Sequence, residues 1–195
     1  MPRTQQANDE VREATRAKLL EAAVRLFAQQ GYSAASIRAL ASEAGVSLGL
    51  LYHYFPSKQA VLEALMADGL ADVQVTFERA RAEKTAAGFV RALLTSAGEQ
   101  LRAHRAAWQV SYGLRHQPAV IEGLARSTEK ARTHMLGFLE VELRRRKVTN
   151  ARLEAEVLFA TVEGISQQVV QRPRAYPLAG VIEVVAARFE KRSTR

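Results

Sequence analysis

Cysteine is absent from the 195 residues. That single absence excludes disulfides, thiol nucleophiles, cysteine-ligated zinc fingers and iron–sulfur clusters, and it suits a reducing compartment. Long apolar runs are missing too. No stretch approaches the ~18 apolar residues a membrane helix needs, and Met1 to Arg12 is polar, without the apolar centre of a secretory leader. The chain is therefore expected to be soluble and cytoplasmic, with no membrane partner. Chemistry-bearing motifs are equally scarce. There is no GxSxG elbow, no glycine-rich phosphate loop and no pair of carboxylates in a loop-rich setting, so no enzyme is expected. The four histidines show no HxxxH spacing, and no metal or other cofactor is expected.

What is present is alanine, leucine, arginine and glutamate, with valine and isoleucine placed singly at helical spacing rather than in alternating runs. This composition and periodicity predict an all-α protein. The net charge is +8 and the pI about 10.2, which favours an anionic partner, nucleic acid first. The excess is spread out, however. Residues 1–60 hold seven lysines and arginines against five acids, so a solvated arginine-rich surface accounts for most of the balance.

Helix starts and stops can be read in order. A first helix is expected from Asp9 to Gln30, with Leu20, Ala23, Val24 and Phe27 on one face and Gly31 as its stop. Ser36 caps a short helix from Ile37 to Ala44, and Gly45 ends it. Ser47 caps a third helix reaching Tyr54. Pro56 breaks the chain and Ser57 caps a long helix running to Glu83, with Leu62, Leu65, Met66, Val73 and Phe77 on its apolar face. Five more helices are expected at 86–104, 105–115, 118–146, 151–171 and 177–191. Pro118 suits a helix first turn, and Pro173 and Pro177 bracket a connection.

The tight Gly45-Val46 turn between the second and third helices makes a helix-turn-helix. A recognition helix must be short, capped and free on its outer face. Ile37, Leu40, Ala41, Val46, Leu51 and Phe55 can form the inner core with Val24 and Phe27. Leu48, Gly49, Leu50 and His53 are then left to face DNA. Ser36, Ser47, Tyr52, Tyr54 and Lys58 offer hydrogen-bond donors for phosphates on either side. Tyr52 could instead be a packed tyrosine, and Lys58 a solvated lysine at a helix start, where the dipole disfavours it.

Residues 12–65 resemble the TetR family of bacterial regulators. The resemblance rests on Leu19-Leu20-Glu21-Ala22-Ala23, Leu26-Phe27, Gly31-Tyr32, Ser36-Ile37, Leu40-Ala41, Ala44-Gly45-Val46-Ser47, Gly49, Leu51-Tyr52, Tyr54-Phe55 and Ser57-Lys58. It implies that Tyr52 and Lys58 contact operator phosphates and that Ser47, Leu48, Gly49, Leu50 and His53 form the recognition face. Two departures stand out. Tyr54 sits where the family most often has histidine, and Leu48 and Leu50 are apolar where many members carry polar base readers. Readout then rests on His53, thymine methyls and DNA shape. The resemblance also implies two domains, a DNA-binding domain at 1–58 and an effector-binding and dimerisation domain at 59–195. Its partners would be double-stranded operator DNA, a second copy in a homodimer, and an unidentified small-molecule effector that releases a repressor from a palindromic operator.

Beyond residue 84 the signals thin out. Trp108, Tyr112 and His116 recur every fourth residue, and His104 extends that row. His134, Met135 and Phe138 form a second group. Two such groups facing each other would make a mostly apolar effector site with a few polar handles. The bland alternative makes Trp108 and Phe138 core and the histidines surface. The stretch from Trp108 to Pro118 bears a faint resemblance to regulators of betaine-type metabolism, too slight to name an effector. Leu153, Val157, Ala160 and Gly164, with Val181, Val184, Val185 and Phe189, give two apolar stripes for dimerisation, or for packing inside the protomer. Arg144-Arg145-Arg146-Lys147 reads as a solvated helix end favoured by the dipole. Two rival functions stand beside the repressor: an architectural protein that tolerates any DNA sequence, and a ligand carrier without DNA binding.

Overall fold

The computed structural model describes residues 5–114 and 118–190. Among them the chain is all-α, as expected. The helices are α1 (Gln5–Gln30), α2 (Ile37–Glu43), α3 (Leu48–Tyr54), α4 (Lys58–Arg81), α5 (Ala86–Ala103), α6 (Arg105–Leu114), α7 (Pro118–Arg145), α8 (Ala151–Gln171) and α9 (Leu178–Glu190). Most boundaries fall within two residues of those read from caps and breakers. The exception is α1, which begins four residues before Asp9, since nothing between Gln5 and Asp9 breaks a helix.

The described residues fall into two compact units, Met1–Asp68 with Gln109–Gly123, and Gly69–Trp108 with Leu124–Arg195. Three helices, α4, α6 and α7, each contribute residues to both units.

In the first unit α2 packs on α1 and α3 packs on α2. Leu19, Leu20, Ala23, Leu26, Phe27, Leu40, Ala41, Leu51, Phe55, Val61 and Leu62 are buried. Each large side chain so placed contributes about 1.5–3 kcal/mol relative to exposure. Val24, Ile37 and Val46, expected in this core, are half-buried at its rim. Arg25 Nε donates to Glu43 Oε1 at 2.8 Å, an ion pair that ties α1 to α2.

In the second unit α5 lies against α9 and α8. Phe89, Val90, Leu93 and Leu94 of α5 are buried, as are Leu158, Val169 and Val170 of α8 and Ile182, Ala186 and Phe189 of α9. A Cβ added at Gly98 would come within 2.6 Å of Leu178 Cδ2, so a larger residue there requires the Leu178 side chain at the start of α9 to shift.

One expectation needs correction, and one open alternative divides. The basic run at the end of α7 is not uniformly solvated. Arg146 is only 7% exposed. Its Nη1 donates to Glu142 Oε2 at 2.6 Å, and its Nη2 to the carbonyls of Glu83 at 2.6 Å and Arg81 at 3.1 Å. Those carbonyls end α4 and its following turn, where a buried guanidinium supplies partners that water would otherwise provide. The apolar stripe on α9 also divides. Val185 and Phe189 pack inward, while Val184 is 68% exposed.

Candidate nucleic-acid interface

Local chemistry sets the geometry of α2 and α3. Ser36 has extended backbone, and its Oγ accepts from Ala39 N–H at 3.0 Å. Ser47 does the same for α3, accepting from Leu50 N–H at 3.1 Å. Each cap satisfies an N–H that the first helical turn leaves over, worth about 1 kcal/mol. Between the helices Gly45 takes φ +63°, a left-handed conformation that other L-residues adopt only at a cost. Val46 N–H donates to the Ala41 carbonyl at 3.0 Å and closes the turn.

The turn and the two caps present one side of α3 outward. Leu51 is fully buried and holds the helix down. Ser47, Gly49, Leu50, Tyr52 and His53 are exposed, and Leu48 and Tyr54 are half-buried. Leu50 at 40% and Tyr52 at 46% are large apolar or aromatic side chains left open. His53 and Tyr54 lie edge to face at 5.6 Å. A Cβ on Gly49 would meet nothing within 4 Å, so no packing inside the chain explains a glycine there.

Lys58 is placed differently from the others. Its Nζ points back into the unit and donates to the carbonyls of Tyr32 at 2.7 Å, Ala35 at 2.8 Å and Ser33 at 3.2 Å. Sequence spacing gives no sign of this, because the acceptors lie on a distant loop.

Among the described residues, the expected effector residues fall on α6 and α7 and at the end of α5. His104 ends α5 and is exposed. Trp108 is half-buried, its ring 3.4 Å from the position of a Cβ on Gly69. Tyr112 is half-buried and belongs to the first unit. His116 lies outside the described residues. His134 is exposed and lines an open depression along α7 with Ala125, Arg126, Glu129, Lys130 and Thr133. Met135 is half-buried. Phe138 stacks on Phe77. Among the described residues no three histidine or carboxylate side chains group as a metal site, and no helix is long and apolar enough to cross a membrane.

A short capped helix held over a positive-φ turn, with its outer face open, defines a helix-turn-helix protein of all-α architecture. Residues 19–65 match the family described as bacterial regulatory proteins, tetR family. Over that stretch, about a quarter of the chain, the sequence is similar to the TetR family. It is 39% identical over 75 residues to the transcriptional regulator BetI of Paraburkholderia phytofirmans, a match covering 38% of each chain. That stretch spans well under half of the relative's length. Two solved structures share the fold over nearly the whole chain. The FadR regulator of Bacillus subtilis in complex with stearoyl-CoA is 18% identical with a TM-score of 0.70, covering 88% of this chain and 95% of that one. The SmeT–triclosan complex is 22% identical with a TM-score of 0.73, covering 90% of each chain. The named relatives are transcriptional regulators rather than enzymes.

Proposed function

We propose that the protein is a cytoplasmic transcriptional repressor that binds a palindromic operator as a homodimer and is released by a small-molecule effector. The observation that carries this reading is the outer face of α3. Four consecutive turn-and-helix features, Gly45, the Ser47 cap, open Gly49 and buried Leu51, fix a face made of Leu48, Gly49, Leu50 and His53. That face suits the base edges of a major groove, with Leu48 and Leu50 against thymine methyls and His53 as the polar reader. Ser36, Ser47, Tyr52 and Tyr54 flank it with donors for phosphates.

The dimer is supported by the apolar surface left on the second unit. Leu153 and Val157, one turn apart on α8, are 64% and 51% exposed, and Val184 on α9 is 68% exposed, open aliphatic surface of the kind a dimer contact would cover. Two recognition helices of such a dimer would read half-sites roughly 34–36 Å apart.

The effector reading draws on the neighbours, one of which holds stearoyl-CoA and another triclosan. An apolar or amphipathic effector of this chain would use the partly covered Trp108 and Met135 of the second unit. It shifts the protein off DNA only by its preference for a non-binding protomer arrangement.

The test is a selection of genomic fragments with the full chain at physiological salt, followed by sequencing. One recurring short palindrome supports the dimeric repressor. Unrelated fragments held with steep salt dependence would replace it with the architectural reading.

A further inference from the structure

An ammonium group has three N–H donors and no acceptor. At Lys58 all three are used inside the protein, by the carbonyls of Tyr32, Ser33 and Ala35. The same Nζ stands 4.5 Å from the centroid of the Tyr32 ring, within cation–π range. Tyr32 in turn meets Phe27 edge to face at 5.4 Å. The loop between α1 and α2 thus leaves three carbonyls to one cation on the first turn of α4. Partial burial pulls Lys58 below the ordinary lysine value, and burial aided by the Glu63 charge raises Tyr32 above the ordinary tyrosine value.

Lys18 has the opposite surroundings. It is exposed, and among the described residues it makes no hydrogen bond or ion pair. Its Nζ lies 3.9 Å from the position of a Cβ on Gly45. The ammonium therefore sits over the turn that joins α2 to α3, close to the cap of the recognition helix. On any DNA that α3 enters, a phosphate beside this turn would find Lys18 with its donors free and Lys58 with none to spare.

We propose that Lys58 is a positioning residue, a latch that fixes the α1–α2 loop to the start of α4, and that the ammonium reaching the DNA backbone beside the recognition helix is that of Lys18. The Lys18 half rests on the DNA-binding reading above; the latch does not. The latch has a mechanical consequence within the first unit. The start of α4 and the α1–α2 loop move as one body, so any displacement of this end of α4 carries α1 and α2 with it.

The test uses the full chain and a 30-base-pair duplex of random sequence, with affinity measured by fluorescence anisotropy over a series of salt concentrations. Removing one phosphate contact lowers the slope of log K against log salt by about 0.9. Lys18→Gln is expected to do so. Lys58→Met is expected to leave the slope unchanged while amide exchange in residues 31–36 accelerates about tenfold or more. Lys58→Gln removes the charge but keeps two donors, so slope and protection should both stay near those of the parent chain; this variant also decides the matter if Lys58→Met does not fold. A slope lowered by either Lys58 variant, or unchanged exchange in Lys58→Met, overturns the latch. An unchanged slope in Lys18→Gln overturns the Lys18 contact. If the parent chain does not bind the duplex at all, the DNA reading fails and the exchange measurement still decides the latch.

Discussion

The rings of Phe77 on α4 and Phe138 on α7 lie parallel, 5° apart in plane and with centroids 3.9 Å apart. Phe89 on α5 tilts against Phe138 at 6.2 Å, and the Arg81 guanidinium covers it at 5.1 Å. A ring with aromatic neighbours on two helices and a cation above it is already occupied as a packing element. Phe138→Ala should therefore cost about 2–4 kcal/mol of stability, somewhat less than a fully buried ring because Phe138 is only half-buried. Urea unfolding followed by circular dichroism measures it. A variant of unchanged stability whose operator binding no longer responded to the effector would return Phe138 to the ligand site.

The Arg146–Glu142 pair is the second dependency within the second unit. Both side chains are under 5% exposed, with Nη1 and Oε2 2.6 Å apart, and Arg146 also stands 4.4 Å from the Phe89 ring. Removing Arg146 leaves the buried Glu142 with only the Arg81 pair at 3.2 Å and Arg145 at 3.8 Å, at about 2–4 kcal/mol, below the cost of a wholly unpaired buried charge. Arg146→Met should lower the unfolding free energy by that amount, read as a lower urea midpoint with little change in slope. Neighbouring Arg145, which is exposed, should tolerate the same change within about 0.5 kcal/mol. Equal effects at the two positions would mean that the burial of Arg146 contributes nothing.

These cases show where sequence reading succeeds. Ser36, Ser47 and Gly45 were legible because their roles are local: a cap acts over three residues and a turn glycine over one. Buried Leu51 and exposed Leu50 follow from helical period alone. Lys58 was not legible, because its acceptors are set by how α4 returns past the α1–α2 loop. Arg146 was misread for a related reason. Four consecutive bases at a helix end look solvated, and only the close approach of the α4 terminus to α7 selects one of them for burial. The effector residues are the least local case. Their four-residue spacing fixes a shared helix face, yet which neighbour that face meets depends on packing between distant helices.

The exposed aliphatic residues of α8 give a test of assembly. Leu153 and Val157 are one turn apart and open, with Ala160 and Gly164 exposed further along the helix. Since Leu153 makes little contact within the protomer, Leu153→Glu should leave helicity and the unfolding midpoint of the protomer nearly unchanged. Placed at the centre of a dimer contact it would bury an unpaired charge and weaken association by roughly 30-fold or more, on the scale of an interface hot spot. Sedimentation velocity over a concentration series reads the shift toward monomer. A mass distribution identical to the parent chain would remove this face from the interface.

Gly49 separates stability from function most sharply, because the two should move in opposite directions. A glycine inside a helix costs about 0.5–1 kcal/mol relative to alanine. Nothing within 4 Å would obstruct a methyl group at this position, and its φ is not in the left-handed region. Gly49→Ala should therefore stabilise the first unit by about that amount. If α3 lies in a major groove, the added methyl stands between the helix and the base edges, where close approach matters most. Affinity for duplex DNA should then fall by about tenfold, equivalent to about 1.4 kcal/mol, while the melting temperature rises. Thermal denaturation and anisotropy on the same preparation give both numbers. A variant that is more stable and binds as tightly as before would mean that α3 presents some other face to DNA, and the assignment of Leu48, Leu50 and His53 to the bases would fall with it.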